Sequence, residues 1–397
     1  MSLKPDPRKD ATLSESTRTI LIVAGEASGD LHGSGLIREM RHLRSDIRFY
    51  GIGGNKMERA GAHLIAHSSE MAVVGLTEVA AKLSFILGVF FKLKKSIRNE
   101  KPDLVILIDY PDFNLPLARA AKKSGIKVFY YISPQVWAWR KGRIRSIRKY
   151  VDHIAVIFPF EETLYRKFGV SATFVGHPLL DTARTTFSHE EALRNFGLDH
   201  HAVTVALLPG SRQSEVIKLL PIMLKAAEHL KNEFPGIRFI LPLADTLDQA
   251  FVEEIIVPHE LKVLIIRDSI YDVLSVADAA IVTSGTATVD TALTETPMVV
   301  IYKVSGLTYI MGRMLLNVDN IAMANIIAGK AIVPELIQGN ATPKAIAKEV
   351  ADLLKDEVKR ETMIGELRKV REKLGTSGAA KRAAALAFAL MEKDRRS

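Results

Sequence analysis

The chain has 397 residues, 48% hydrophobic and 25% charged, with a formal net charge of +9 and no cysteine. This length supplies apolar residues for two ordinary cores, and the lack of cysteine excludes disulfides and thiolate chemistry. The basic balance suits a nucleic acid, an anionic membrane or a phosphorylated substrate, without choosing among them.

Residues 1–18 are polar, include Lys4, Arg8, Lys9 and Arg18, and read as a disordered tail rather than a signal peptide. Residues 19–24 predict a buried strand, followed by the small-residue turn Gly25-Glu26-Ala27-Ser28-Gly29-Asp30 and a helix over 30–43. A second strand follows at 47–52. The turn has neither the Gly-x-Gly-x-x-Gly spacing of a dinucleotide site nor the Gly-Lys-Ser/Thr ending of a phosphate loop. Gly25, Glu26 and Ser28 stand at a strand end suited to the hydroxyls or amides of a sugar, since Glu26 repels phosphate. The plainer reading is a strand-to-helix turn.

Residues 71–91 are apolar, but the run Leu83–Phe91 between Lys82 and Lys92 is far short of the roughly 20 residues of a membrane span. A buried helix explains the segment; an amphipathic surface that enters a bilayer or holds acyl chains explains it equally. In the second case Val79, Leu83, Phe85, Ile86 and Phe90 make the contact and Lys82, Lys92, Lys94 and Lys95 meet headgroups. The strand 104–108 ends at Asp109, followed by Tyr110-Pro111-Asp112-Phe113-Asn114. A carboxylate leaving a sheet there can take a proton from an attacking hydroxyl if its pKa is raised. Otherwise Asp109 caps a turn. Pro111 stiffens the loop, and Asn114 is placed to start the next helix.

Strands at 128–132, 154–158 and 173–175 follow. Trp137 and Trp139, ahead of Lys141, Arg143, Arg145, Arg148 and Lys149, suit base stacking, a membrane interface, or a buried aromatic corner beside a solvated basic helix. The polar stretch 181–200 is the best boundary between halves. Beyond it, strands are predicted at 203–208, 238–243, 263–266, 279–282 and 298–301, with helices between them and through most of 343–394. Uniformly apolar strands of this kind indicate parallel sheets with helices on both faces, an α/β class.

Two turns in this half suit phosphate. In Pro209-Gly210-Ser211-Arg212, Arg212 can fork onto diphosphate oxygens with Ser211 and turn amides assisting, and Ser211 with Ser214 or with Glu215 caps the helix. Ser284, Gly285 and Thr286 form the second turn. Asp290, one helical turn on, either accepts from ribose hydroxyls or is a solvated acid favoured by the helix dipole. The eleven histidines form no metal motif, and no Gly-x-Ser-x-Gly elbow is present.

Together these residues resemble the lipid-A-disaccharide synthases. The likeness is carried by 23–30, 71–78, Asp109–Asn114, Ser133-Pro134-Gln135-Val136-Trp137-Ala138-Trp139, Phe174-Val175-Gly176-His177-Pro178, 207–215 and 284–288, in that order. It implies a GT-B architecture of two Rossmann-like halves around a cleft, and an inverting glycosyltransferase. Its reaction joins UDP-2,3-diacylglucosamine to 2,3-diacylglucosamine 1-phosphate (lipid X), giving the β-1,6 disaccharide 1-phosphate and UDP for lipid A. The implied limits are the tail 1–18, an acceptor and membrane-facing domain 19–185, a donor domain 186–345 and helices 346–397 that cross to the first domain or exchange in a homodimer. Asp109 is then the base, and Gly25, Glu26, Ser28, Asn114, Ser211, Arg212, Ser284, Gly285, Thr286, Asp290, Asn325 and Gln338 bind substrate. Two positions depart from the family pattern: Ala324 stands where proline usually precedes Asn325, and Asp290 where glutamate is common. No cofactor, metal or nucleic acid is implied. The location implied is peripheral, on the cytoplasmic face of the inner membrane. The alternatives are another UDP-sugar enzyme of this architecture, an epimerase or a lipid-linked glycosyltransferase, or a basic membrane- or RNA-binding protein.

Overall fold

The computed structural model describes residues 17–71, 76–134, 142–267, 269–303 and 320–392, apart from the side chains of 76–82. Most of the 1–18 tail and both tryptophans, Trp137 and Trp139, lie outside the described residues, as does the side chain of Val79. The chain forms two compact units, one of Met1–Pro178 with Gly378–Ser397 and one of Leu179–Ser377.

The first unit holds a seven-stranded sheet of order β3-β2-β1-β4-β5-β6-β7. Its strands are β1 (Arg18–Ala24), β2 (Ile47–Gly53), β3 (Ala62–His67), β4 (Leu104–Ile108), β5 (Val128–Tyr131), β6 (His153–Val156) and β7 (Ala172–Phe174), and neighbours pair in parallel. β4 is buried along its whole length, as its run Leu-Val-Ile-Leu-Ile requires when helices cover both faces. β3 is absent from the sequence reading. Its residues alternate weakly, it lies at the sheet edge, and its pairing with β2 slips at Gly51/Ile52. Gly51, at φ +147°, is obligatory there, because a β-carbon would lie 2.0 Å from the carbonyl oxygen of Ile22.

The second unit repeats the plan with six parallel strands of order β10-β9-β8-β11-β12-β13. These are β8 (Thr204–Leu208), β9 (Arg238–Leu243), β10 (Val263–Arg267), β11 (Ala279–Thr283), β12 (Met298–Tyr302) and β13 (Glu335–Ile337). β13, three residues at the edge, is too short to carry a pattern.

The limits of the units differ from the expected 185/186 and 345/346. Residues after Pro178 join the second unit because the Asp272 carboxylate accepts from the N–H groups of Thr186 (2.7 Å) and Phe187 (3.1 Å). The C-terminal helices divide. Pro343–Lys355 and Glu357–Lys373 belong to the second unit, where the Met298 N–H donates to the Met363 sulfur. Ala379–Glu392 packs its alanines on the helix Ala27–Leu43, with Ala380 against Gly35, and Arg382 Nε donates to the Val175 carbonyl at 2.8 Å. No helix among the described residues is long and apolar enough to cross a membrane.

Candidate active site

Strand order locates a crevice in each unit by topology. β1 leads to β2 and β3 on one side, while β4 starts the run to β7 on the other, so the direction of winding reverses between β1 and β4. The same reversal falls between β8 and β11. Ligands of doubly wound sheets bind beyond the carboxyl ends of the strands at such reversals. Ala24 pairs with Ile108, so Gly25 and Glu26 emerge beside Asp109. Leu208 pairs with Val282, which sets the Gly210–Arg212 turn beside Ser284–Thr286.

At the first reversal the chain turns sharply. Asp109 and Tyr110 both adopt left-handed backbone, at φ +43° and +48°, and Ile132 at the end of β5 does so at +62°. Consecutive residues of this kind cost on the order of 1–3 kcal/mol each and persist only where surroundings hold them. Here the Asp109 carbonyl accepts from the Tyr130 hydroxyl (2.5 Å) and from Asn114 Nδ2 (2.7 Å), and Asn114 Nδ2 also reaches the Ile108 carbonyl at 3.2 Å. The Asp109 N–H donates to the Ile132 carbonyl at 3.2 Å. The turn therefore aims the half-buried carboxylate while its main chain is locked from three sides. Burial, reinforced by the Glu26 carboxylate and opposed by the Tyr110 N–H and Arg143, pushes the Asp109 carboxyl up to about 6. Such a group is ionised at neutral pH yet basic enough to receive a proton.

One reading changes here. Asn114 does not start the helix: Pro111 occupies the first position of Pro111–Lys123, and Asn114 lies buried inside it as a positioning residue for Asp109. Asp30 is structural, its carboxylate accepting from the N–H groups of Gly54 (2.7 Å), Met57 (2.9 Å) and Lys56 (3.0 Å) at the start of Asn55–Arg59. Glu26 and Ser28 are exposed at the start of Ala27–Leu43. Asp112 is paired with Arg143.

At the second reversal, Gly210 has φ +107° and Arg212 caps the helix Gln213–Glu233. Neither serine pairing proposed for the cap forms. Instead the Glu215 carboxylate accepts from the Arg212 N–H at 3.4 Å, while the largely exposed Arg212 guanidinium donates to it at 3.3 Å. Ser211 is exposed, and its carbonyl accepts from the Thr246 hydroxyl at 2.5 Å. An exposed arginine at a helix N-terminus suits a diphosphate. Gly285 (φ +147°) and Thr286 are exposed, with no described residue's atom within 4 Å of where a Gly285 β-carbon would stand, and the Ser284 hydroxyl donates to the Ile321 carbonyl at 3.0 Å.

Asp290 is not a solvated first-turn acid. The Tyr271 hydroxyl donates to its Oδ1 at 2.7 Å, and burial raises its carboxyl to about 6. Asn325 is likewise not free for a donor. Its Nδ2 donates to the Val333 carbonyl (3.0 Å) and Glu335 Oε1 (2.7 Å), and its Oδ1 accepts from the N–H groups of Ile332 (2.7 Å) and Val333 (2.9 Å). Both amide atoms are spent tying Met323–Ala328 to β13. Gln338, at φ +53°, begins the short 3-10 turn after β13. Tyr130, Tyr271 and Glu335 escaped the sequence reading; only the Tyr130-Tyr131 pair at a strand end carried a signal.

The helix Leu76–Glu100 sorts the apolar candidates. Val89, Leu93 and Ile97 are buried, and Ile86 and Phe90 pack half-buried against the same core, so each keeps only part of its surface for a lipid, unlike the exposed contact expected of them. Leu83, Leu87 and Phe91, at i+4 spacing along one flank, and Phe85 on the other, are 40–59% exposed.

A family model described as lipid-A-disaccharide synthetase matches residues 20–389. The chain is 56% identical to the lipid-A-disaccharide synthase of Syntrophus aciditrophicus, over 95% of this chain and 99% of that one. It is 48% identical to that of Geobacter sulfurreducens, over 95% and 98%. Among solved structures it is similar to a putative UDP-N-acetylglucosamine 2-epimerase from Listeria monocytogenes (TM-score 0.65, 13% identity, covering 96% of this chain and 98% of that one). It is also similar to the calicheamicin glycosyltransferase CalG4 (TM-score 0.59, 15% identity, 95% and 99%). At these identities the structural likeness concerns the fold.

Proposed function

The chain belongs to the lipid-A-disaccharide synthetase family, and from that premise we propose which of its residues carry the reaction. The enzyme is a glycosyltransferase of GT-B-type architecture acting in lipid A biosynthesis, and its substrates are UDP-2,3-diacylglucosamine and lipid X. Asp109 takes the proton of the acceptor 6-hydroxyl as that oxygen attacks the anomeric carbon of the donor. The new glycosidic C–O bond forms while the bond from the anomeric carbon to the diphosphate breaks, and the electron pair leaves with UDP. The observation that supports Asp109 as base is its place at the β1/β4 reversal, with a carboxyl held at about 6 and a main chain locked by Asn114 and Tyr130.

Arg212, Ser211 and the N-terminus of Gln213–Glu233 meet the charge that develops on the leaving diphosphate, and the Ser284–Thr286 turn completes that side. Asp290 keeps one carboxylate oxygen for ribose while Tyr271 holds the other. Asn114 and Asn325 position main chain rather than touch substrate.

Leu83, Phe85, Leu87 and Phe91 give an apolar surface that suits contact with a membrane or with the acyl chains of both substrates. On this reading the enzyme works at the membrane surface, where its lipids reside.

The direct test supplies both substrates and resolves the lipid products. Disaccharide 1-phosphate formed with equal UDP is the expected result. Folded protein that forms none would overturn the assignment.

A further inference from the structure

In the first unit, a cavity of about 560 Å³ opens between the helices Leu76–Glu100, Pro111–Lys123 and Arg143–Tyr150. Phe90, Leu115 and Tyr150 give it an apolar lining, and Lys94, Arg119 and Lys123 supply three cations. Arg119 and Lys123 are one helical turn apart on the same face, so their charges converge on one opening. None of the three forms an ion pair among the described residues, although Lys122, next to Lys123, is paired with Asp152. Unpaired cations around an apolar floor match a ligand that is anionic at one end and greasy at the other.

The cavity adjoins the exposed apolar flank of Leu76–Glu100. Lys94 lies three residues beyond Phe91 and seven beyond Leu87, hence on the same flank and about 10 Å along the axis from Leu87. Phe90 lines the cavity and packs edge-on to Phe91 with ring centroids 5.9 Å apart. A bilayer reached by Leu83, Leu87 and Phe91 would therefore set its phosphates near the depth of Lys94. Arg119 is eight residues past Pro111, about 12 Å along its helix, so the cations stand away from the reacting carboxylate.

We infer that this cavity is a headgroup site for an anionic phospholipid of the bilayer, with the phosphate between Lys94, Arg119 and Lys123 and the first acyl carbons along Phe90 and Leu115. The inference rests on the membrane reading of Leu76–Glu100 and adds to it a defined lipid seat. One bound lipid then orients the unit as well as attaching it, since the seat and the apolar flank lie on one side.

The test measures partition of full-length protein onto vesicles of phosphatidylcholine, with and without a quarter of phosphatidylglycerol, for wild type, Arg119→Ala/Lys123→Ala and the control Lys225→Ala/Lys231→Ala in the second unit. The pocket variant is expected to lose about tenfold or more of its affinity for the anionic vesicles. It should keep its weaker affinity for phosphatidylcholine and its transfer rate on detergent-dispersed substrates. The control, with the same loss of charge, should stay near wild type. Equal losses in both variants would reduce the effect to net charge and overturn the site. Wild type that ignores both vesicles would overturn the membrane reading and the site together, whereas anionic binding unaffected by the pocket variant would overturn the site alone. Monomeric dihexanoyl-phosphatidylglycerol should bind wild type and not the pocket variant, by titration calorimetry. Inorganic phosphate binding equally well would make this an anion site and remove the lipid.

Discussion

The ring of Tyr110 lies against Gly25: a β-carbon on Gly25 would stand 2.4 Å from Tyr110 Cδ1 and 2.5 Å from Cγ. The glycine of the first turn is thus set by a ring from the loop after β4, not by a ligand. Tyr110 cannot easily retreat, because its ring stacks on Phe113 with centroids 5.6 Å apart and its hydroxyl donates to the Met71 carbonyl at 3.3 Å. Gly25→Ala is expected to displace Tyr110, and Asp109 with it, at a cost of about 1–3 kcal/mol in stability and about tenfold or more in kcat. Thermal unfolding and steady-state kinetics on one preparation measure both, and unchanged values would show that the ring yields freely.

Asp109→Asn should lower kcat by roughly 100-fold or more while UDP affinity stays unchanged. Calorimetry with UDP and single-turnover assays separate the two. Near-normal turnover would return the general base to another group.

The pH dependence follows from the raised carboxyl. Wild-type activity should rise with pH through about 6 and then level, since the base must be ionised. Glu26→Gln removes a contribution that raises this value, so the limb should move to lower pH. Stability runs the other way. The Asp109 contribution is full below the ordinary carboxyl value and is lost as pH rises through about 6, because the folded site then holds a charge it disfavours. Asp109→Asn, neutral throughout, should gain about 1–2 kcal/mol relative to wild type between about pH 4 and about pH 7. Denaturant titrations at the two pH values give the difference, and a gap that shrinks with pH would contradict the raised value.

Asn114→Ala and Tyr130→Phe each remove a donor from the Asp109 carbonyl. Loss of one such bond costs about 1–3 kcal/mol of stability. Both should reduce kcat with KM nearly unchanged, and their double variant should be less than additive, since both act on one carbonyl. A raised KM at constant kcat would mean that Asn114 contacts substrate after all.

Arg212→Ala should weaken UDP binding about tenfold or more and leave folding almost untouched, because its pair with Glu215 is exposed and worth about 1 kcal/mol at most. Calorimetry and thermal unfolding test the two halves of this expectation. Unchanged UDP affinity would move the diphosphate to the Ser284–Thr286 turn.

On Leu76–Glu100, replacing Leu83, Leu87 and Phe91 with serine should lower vesicle binding while the fold survives. Phe90→Ser should instead destabilise the protein, because Phe90 sits edge-on to Phe113 at 5.6 Å in the core. If the triple variant unfolds, or stays folded with undiminished vesicle binding, the membrane surface lies elsewhere.

What the sequence determined alone was local and periodic. Apolar runs ending in Gly25-Glu26, Asp109, Gly210–Arg212 and Ser284–Thr286 announced strand ends of parallel sheets, their shortness and the turns that stop them favouring strand over buried helix. Their order also carried the family. What it left open were the partners of polar side chains, because hydrogen bonds join residues far apart in the chain. Asn114 and Asn325 are indistinguishable from ligand-binding amides until Ile108 and Asp109 are seen to take the Asn114 Nδ2, and Ile332, Val333 and Glu335 both amide atoms of Asn325. Asp290 read as a ribose acceptor or a solvated acid, and only the fold showed Tyr271 holding one of its oxygens. The apolar excess around residues 71–91 left a buried helix and an amphipathic surface open, and only packing on neighbouring elements decided that Ile86 and Phe90 lie half against the core while Leu87 and Phe91 are exposed. Tertiary structure also raised the Asp109 carboxyl, since desolvation depends on what surrounds a charge rather than on what precedes it in the chain.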